Sequence, residues 1–433
     1  MTAVPFAEAL RFWLKLGFIS FGGPAGQIAI MHQELVERRR WISEKRFLHA
    51  LNYCMLLPGP EATQLATYIG WMMHRTLGGI VAGALFFLPS LVILIVLSYL
   101  YVAYGSVPAV EGLLYGIKPA VVAIVLAAAW RIGSRALRHP ALWGISVAAF
   151  VAIYAFDVPF PWIVLVAALI GALGGRLAPH VFAVGGHAPS AKTSGAALID
   201  DDTPTPEHAR YQPARLALLL GISIALWAAV LGALAYAYGW DATLTRMGWF
   251  FTKAALLTFG GAYAVLPYVY QAAVEQYHWL SAPQMIDGLA LGETTPGPLI
   301  MIVAFVGFVG AWTHEIFGAG RLLAAGIAGA TVATFFTFLP SFVFILVGGP
   351  LVEATHGDLR FTAPLSGITA AVVGVVVSLA VFFARHVFFP HGIDWIAIAA
   401  AAAALVALLR FKVGLIPLIA VMGAAGMFFR LLN

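Results

Sequence analysis

The chain has 433 residues, of which 62% are hydrophobic and 10% charged, with a mean hydropathy of +0.93 and a formal net charge of +5. A soluble domain carries about 25% charged residues, so this composition excludes a globular protein in water. The single cysteine, Cys54, excludes an internal disulfide framework and a thiolate metal site, and reads as a small buried apolar residue. The basic residues cluster at loop ends, where they report membrane topology rather than a nucleic-acid partner.

Helix-length apolar runs number about a dozen, which predicts an all-α polytopic membrane protein. The first, residues 5–30, is interrupted by Phe21-Gly22-Gly23-Pro24 and carries Arg11 and Lys15, so it is not read as a cleavable signal. A charged connector with Glu34, Glu37, Arg38, Arg39, Arg40, Glu44, Lys45 and Arg46 leads into a second run, 44–73, broken at Pro58-Gly59-Pro60. Proline removes a backbone donor and clashes with the preceding turn, and glycine weakens a helix interior. Each run therefore reads as two short helices flanking unwound backbone. Uninterrupted spans follow at 77–104, 109–135, 140–156 and 160–177. Residues 178–212 turn polar and rich in Gly, Pro, Ser and Asp, the composition of a flexible linker. An extra connecting span, 213–242, precedes broken segments at 246–274 and 282–313, then spans at 320–349, 362–388, 391–409 and 412–431.

The second part repeats the first. Phe21-Gly22-Gly23 returns as Phe259-Gly260-Gly261, Trp41 as Trp279, and Pro58-Gly59-Pro60 as Pro296-Gly297-Pro298, each 238 positions on. Phe87-Leu88-Pro89-Ser90 and Gly116-Ile117 return 251 positions on, as Phe338-Leu339-Pro340-Ser341 and Gly367-Ile368. Residues 1–177 and 243–433 are thus two copies of one unit. An odd number of crossings separates equivalent points, which predicts inverted topology about an axis in the membrane plane. If the first copy's broken segments are re-entrant, Arg75, Arg131, Arg135, Arg138, Arg176 and Lys192 fall on the connector's side and the linker is cytoplasmic. If those segments span, the connector and Arg75 lie on opposite sides.

Unwound backbone at membrane depth is tolerated only against protein or water, and paired breaks in inverted copies mark a transport site near the midplane. Helices starting after Pro60 and Pro298 present unpaired N–H groups and partial positive charge, which favours an anion. The candidate binding residues are Phe21, Gly22, Gly23, Pro24, Pro58, Gly59, Pro60, Thr63 and Gln64 with Phe259, Gly260, Gly261, Thr295, Pro296, Gly297 and Pro298. Gln27, Asn52 and Thr294 are further neutral polar groups that replace a hydration shell or join helices. Lys15, Lys118 and Lys253 either balance substrate charge or snorkel to the interface. Glu61 and Glu293 are candidates to carry a coupled proton; for Glu61 the alternative is a helix-start acid. They are not register equivalents, so the site is asymmetric. No metal-ligand spacing, nucleotide motif or clustered nucleophile and base is present, so no cofactor and no enzyme activity are expected.

The paired boxes Phe21-Gly22-Gly23-Pro24 with Trp41, Pro58-Gly59-Pro60-Glu61, Phe259-Gly260-Gly261 and Pro296-Gly297-Pro298 resemble the chromate ion transporter family in its long-chain, two-domain form. The resemblance covers nearly the whole chain except the linker. It departs at Ser20, where Thr is common, and at Ala262, where Pro follows the glycines in the first copy. It implies an inner-membrane exporter of chromate, driven by a proton gradient or the membrane potential and conferring chromate resistance, with sulfate as a look-alike oxyanion. A sulfate carrier and a membrane enzyme acting on an anionic lipid headgroup are the competing readings. A homo-oligomer is left open.

Overall fold

The computed structural model describes residues 4–21, 23–105, 107–182, 197–200, 203, 206–355, 362–390 and 392–432. These are predominantly helical, with no strand among the described residues beyond an isolated bridge between Ile42 and Ile199. The first copy comprises α1 (Phe6–Ile19), α2 (Gly23–His32), α3 (Glu44–Leu56), α4 (Glu61–Tyr104), α5 (Pro108–Ala136), α6 (Pro140–Phe156) and α7 (Phe160–Leu177). A short α8 (Pro179–Phe182) and the connecting α9 (Pro213–Tyr238) follow. The second copy comprises α10 (Thr243–Leu256), α11 (Ala262–Tyr270), α12 (Ala282–Thr294), α13 (Ile302–Thr313), α14 (Leu322–Thr355), α15 (Thr362–Phe388), α16 (Trp395–Leu409) and α17 (Leu415–Leu432). Even the π-helical turns recur in register, at Gln33–Arg38 after α2 and Gln271–Gln276 after α11.

Among the described residues, seven helices are long and apolar enough to cross a bilayer, with three shorter apolar ones beside them. This is a multi-pass membrane protein. The remaining runs expected from the sequence are the broken segments, which divide into half-length helices. Non-helical backbone at His74 and Arg75 splits α4 into arms 61–73 and 76–104. The arms fold back on each other: a Cβ on Gly79 would meet Trp71 Cβ at 2.9 Å and Thr67 O at 3.0 Å.

The broken segments double back rather than run straight. Residues 6–38 as one continuous helix would extend about 50 Å, yet Glu8 near the start of α1 pairs with Arg39 past the end of that segment at 3.3 Å. The Arg39 guanidinium also sits 4.9 Å from the rings of both Phe12 and Trp41. His32 and Glu44 join the two segments at 2.5 Å, and the Phe6 and His74 rings meet edge to face at 5.4 Å. All four outer ends of the first copy therefore gather near Arg75. In the second copy Arg246 stacks on Tyr277, and His314 Nε2 lies 3.2 Å from the His278 carbonyl. That group of ends lies by Trp312, whose ring is 6.0 Å from Tyr99 at the far end of α4.

The copies interlock. α5 packs on α16 and α17, while its counterpart α15 packs on α6 and α7. Small residues let these backbones approach, as is common between membrane helices: a Cβ on Gly116 would lie 2.8 Å from Gly426 Cα, and one on Gly367 would lie 3.0 Å from Gly171 Cα. The equivalent rings of Phe87 and Phe338 stack on each other with centroids 4.2 Å apart. By contrast α9 buries only Leu216 and Leu231, leaving an apolar surface suited to lipid.

The sequence pattern predicts a flexible linker over 178–212, but its described residues are partly anchored. Ile199 is buried, and its segment exchanges backbone hydrogen bonds with Arg40, Trp41 and Ser43 at 2.9–3.1 Å. Arg46 donates to Thr203 O at 3.0 Å, and His208 Nε2 contacts Trp71 O at 2.8 Å. Two apolar side chains, Ile199 and Ala209, supply burial that a purely polar linker lacks.

The doubled-back geometry predicts which residues share a membrane face. With Cys54 replaced by Ala, Glu37→Cys and Arg75→Cys should react with a membrane-impermeant maleimide from one side, and Tyr104→Cys from the other only. Labelling of Glu37→Cys and Arg75→Cys from opposite sides would contradict it.

Candidate functional site

The breaks meet where the two copies cross. Gly59 adopts φ +124° and Gly297 φ +98°, conformations a side chain disfavours. Gly59 N–H donates to Thr258 O at 2.7 Å, and Gly297 N–H donates to Ser20 O at 2.7 Å. Ser20 and Thr258 are register equivalents, as are Gly59 and Gly297. Each copy's Pro-Gly-Pro break thus satisfies its free donor on the other copy's Phe-Gly-Gly break.

Side chains extend this crossing. Gln27 Nε2 donates to Gly297 O at 2.5 Å and, more weakly, to Ser20 O at 3.4 Å. Gln64 Nε2 donates to Pro58 O at 2.8 Å. Because both amide nitrogens face carbonyls, the amide orientations follow from the network. What remains is a set of buried polar atoms without hydrogen-bond partners: Ser20 Oγ, Thr63 Oγ1, Gln27 Oε1 and Gln64 Oε1, joined by Ser90 Oγ and Ser341 Oγ. Buried polar atoms are ordinarily paired, so the unpaired ones beside these breaks distinguish the crossing from most of the interior.

Four helices start at the breaks: α2 at Gly23, α4 at Glu61, α11 at Ala262, and the turn Leu299–Met301 that runs into α13. The sequence reading anticipates only the second and fourth. Each start leaves backbone N–H groups without intrahelical partners and adds partial positive charge.

Of the predicted binding residues, Pro58, Gly59, Pro60, Gln64, Gly297 and the flanking Pro296 and Pro298 lie at the crossing, with Gly23, Gly260 and Gly261 at left-handed turns opposite. Phe21, Pro24 and Phe259 are half-buried, and Gly22 lies outside the described residues. Thr295 is buried with its hydroxyl turned back on Gly292 O at 2.9 Å, and Thr294 bonds Leu291 O at 2.8 Å. Both therefore cap α12 and leave no free donor.

The charged candidates separate. Glu293 is buried and accepts the Tyr263 hydroxyl at 2.5 Å. Glu61 opens α4 and has no hydrogen bond or ion pair among the described residues. Lys118 lies 3.5 Å from Asp287 of α12, which also accepts the Tyr101 hydroxyl at 3.0 Å. Lys118 is thus balanced by a carboxylate from the other copy. Asp287 escaped the sequence reading, although an aspartate in an apolar helix six residues before Glu293 is a visible signal. Lys253 sits 5.8 Å from the Trp249 ring, and Lys15 is exposed on the outer face of α1. Neither is brought to the crossing. Among the described residues no group of three or more His, Cys, Asp and Glu side chains is placed to hold a metal ion.

The model of the family described as "Chromate transporter" matches residues 7–172 and 245–427, the two copies delimited above. The chain belongs to the chromate transporter family. A chromate transport protein of Pseudomonas aeruginosa is 34% identical over 374 residues, covering 86% of this chain and 79% of that one. One from Cupriavidus metallidurans is 28% identical over 381 residues, covering 88% and 82%. A probable chromate transport protein of Synechococcus elongatus is 28% identical over 386 residues, covering 89% and 86%. No solved structure matches the chain.

Lys118 is half-buried and Asp287 buried, so removing Lys118 leaves a buried carboxylate uncompensated, at a cost on the order of 3 kcal/mol. Lys118→Met should therefore lower the unfolding midpoint in detergent more than Lys118→Met combined with Asp287→Asn. Equal loss in the single and double variants would show that the pair is not coupled.

Proposed function

We propose that this protein is a secondary transporter that carries chromate out of the cytoplasm across the inner membrane by alternating access. The observation that carries this reading is the reciprocal bonding of the breaks, Gly59 to Thr258 and Gly297 to Ser20. A scaffold has no use for two register-matched interruptions, whereas a transporter needs backbone that can exchange partners at the midplane. The relatives named as chromate transport proteins support chromate as the substrate. In this reading the copies form an inverted pair. Supporting it, the outer ends of the first copy's hairpins lie near Arg75 and those of the second near Tyr99, at opposite ends of one helical arm.

The mechanism follows from charge. Helix starts and neutral donors at the crossing compensate a tetrahedral dianion without a fixed counter-ion, so the ion is held weakly enough to leave. A carboxylate beside a dianion repels it, and a carboxylic acid does not. Glu61 or Glu293, protonated when substrate is present, would carry one proton outward with each dianion, so the complex leaves with a single net negative charge and the inside-negative membrane potential drives export. The side that carries the 38–46 connector and Arg75 is cytoplasmic, and the anchored part of the linker lies on that side. Chromate resistance would be the cellular consequence.

The test is isotope-traced chromate flux in proteoliposomes, with and without a pH gradient and with sulfate as competitor. The reading predicts gradient-dependent flux reduced by sulfate. It also predicts at least a tenfold loss in Gly59→Val and Gly297→Val, since a Cβ at Gly59 would come within 2.6 Å of Ser341 Oγ. No chromate flux from folded protein, with or without the gradient, would contradict it, and wild-type flux in both variants would remove the site from the crossing.

A further inference from the structure

We propose that the hydroxyls of Ser90 and Ser341 bind the transported oxyanion directly and set the choice among tetrahedral dianions, an inference that rests on the crossing being the transport site. The two serines are register equivalents, each following a proline inside a long helix, Pro89 in α4 and Pro340 in α14. Each faces the other copy's break. A Cβ on Gly59 would lie 2.6 Å from Ser341 Oγ, and one on Gly297 would lie 2.9 Å from Ser90 Cβ and 3.4 Å from its Oγ. The duplicated chain thus presents the same pairing twice, a left-handed glycine of one copy against a serine of the other.

Both hydroxyls are buried, at 0% and 1% exposure, and neither has a hydrogen-bond partner. Ser20, Thr63, Ser98 and Thr334 also lack a partner, but several other hydroxyls in this bundle behave differently. Thr67, Thr258, Thr337 and Thr369 each turn back to the carbonyl four residues earlier, at 2.6–2.8 Å. That back-bond is the usual resolution for a hydroxyl in an apolar helix. Ser90 and Ser341 forgo it where each faces a left-handed glycine of the other copy. A hydroxyl rotor without an acceptor can donate to an arriving oxyanion, and it does so without adding charge.

Both serines are sealed from solvent in this arrangement, so substrate reaches them only when the facing break moves away. With two glycine–serine pairs, one opening toward each side would give the alternation. The hydroxyls then also measure the ion: chromate, with longer metal–oxygen bonds than the sulfur–oxygen bonds of sulfate, places its oxygens differently against two fixed donors. Removing the donors relaxes that choice.

The experiment compares Ser90→Ala, Ser341→Ala, Ser90→Thr and the wild type in proteoliposomes, measuring KM and kcat separately for chromate and for sulfate. Ser98→Ala is the control, because Ser98 Oγ is likewise buried and unpartnered on α4 but lies about two turns beyond Ser90. The proposal predicts that each alanine raises KM for chromate at least tenfold, with kcat changed less than threefold, and moves the chromate-to-sulfate preference toward unity. Ser98→Ala should match the wild type, and Ser90→Thr should recover most of the affinity. If an alanine variant does not yield folded protein, stabilisation of the remaining variant by added chromate in a thermal unfolding assay takes its place. Wild-type KM and preference in both alanine variants would overturn this inference while leaving the transport reading intact. Absence of flux in the wild type would remove both.

Discussion

Peptide groups released from a helix in an apolar interior must find partners, and this structure depends on how that demand is met. Pro58-Gly59-Pro60 and Pro296-Gly297-Pro298 interrupt their helices at depth, where no bulk water can replace the lost bonds. Each copy provides the acceptor for the other, through Ser20 and Thr258. In this structure each break therefore depends on an acceptor from the other copy.

The rest of the packing serves that crossing. Half-length helices that double back bring the breaks to the centre and return the charged connector to the surface, where Arg39 can rest on Phe12 and Trp41. Exchange of α5 and α15 between the copies, through Gly116 with Gly426 and Gly367 with Gly171, holds the halves in one register. Among the described residues three ionic contacts also join elements of different copies, one of them the exposed pair Arg430–Glu111 at 3.1 Å. Lys118 reaches Asp287, and Arg46 reaches Glu353 at 2.6 Å, whose other oxygen takes the Tyr68 hydroxyl. Buried pairs of this type contribute little net stability, but a single arrangement satisfies them, and each would have to be kept or exchanged as the copies move.

Much of this was legible in the sequence because glycine, proline and tryptophan at constant spacing report backbone geometry directly. The duplication, the breaks, the spans within a few residues and the candidate residues at Gly59, Gln64 and Gly297 follow from that signal. What stayed hidden depends on contacts between copies, which one linear pattern does not encode. Ser90 and Ser341 stood out only as markers of the repeat, since nothing local distinguishes a serine that back-bonds from one that faces a glycine. Asp287 was passed over because its partner, Lys118, lies 169 positions away in another helix. Lys15 and Lys253 show what matched spacing leaves open between charge balance and snorkelling: one faces outward and the other lies by Trp249. The linker composition concealed Ile199, whose burial against the connector depends on a single apolar residue in a polar stretch.

The most direct measurement of the central claim is the position of the bound ion. Crystals of the protein grown with chromate, with anomalous diffraction recorded at the chromium absorption edge, would locate it without interpretation of flux. The account predicts one chromium peak at the crossing, within hydrogen-bonding distance of the backbone around Gly59 or Gly297. A well-occupied peak elsewhere in the membrane interior, with both breaks still bonded to Ser20 and Thr258, would contradict it.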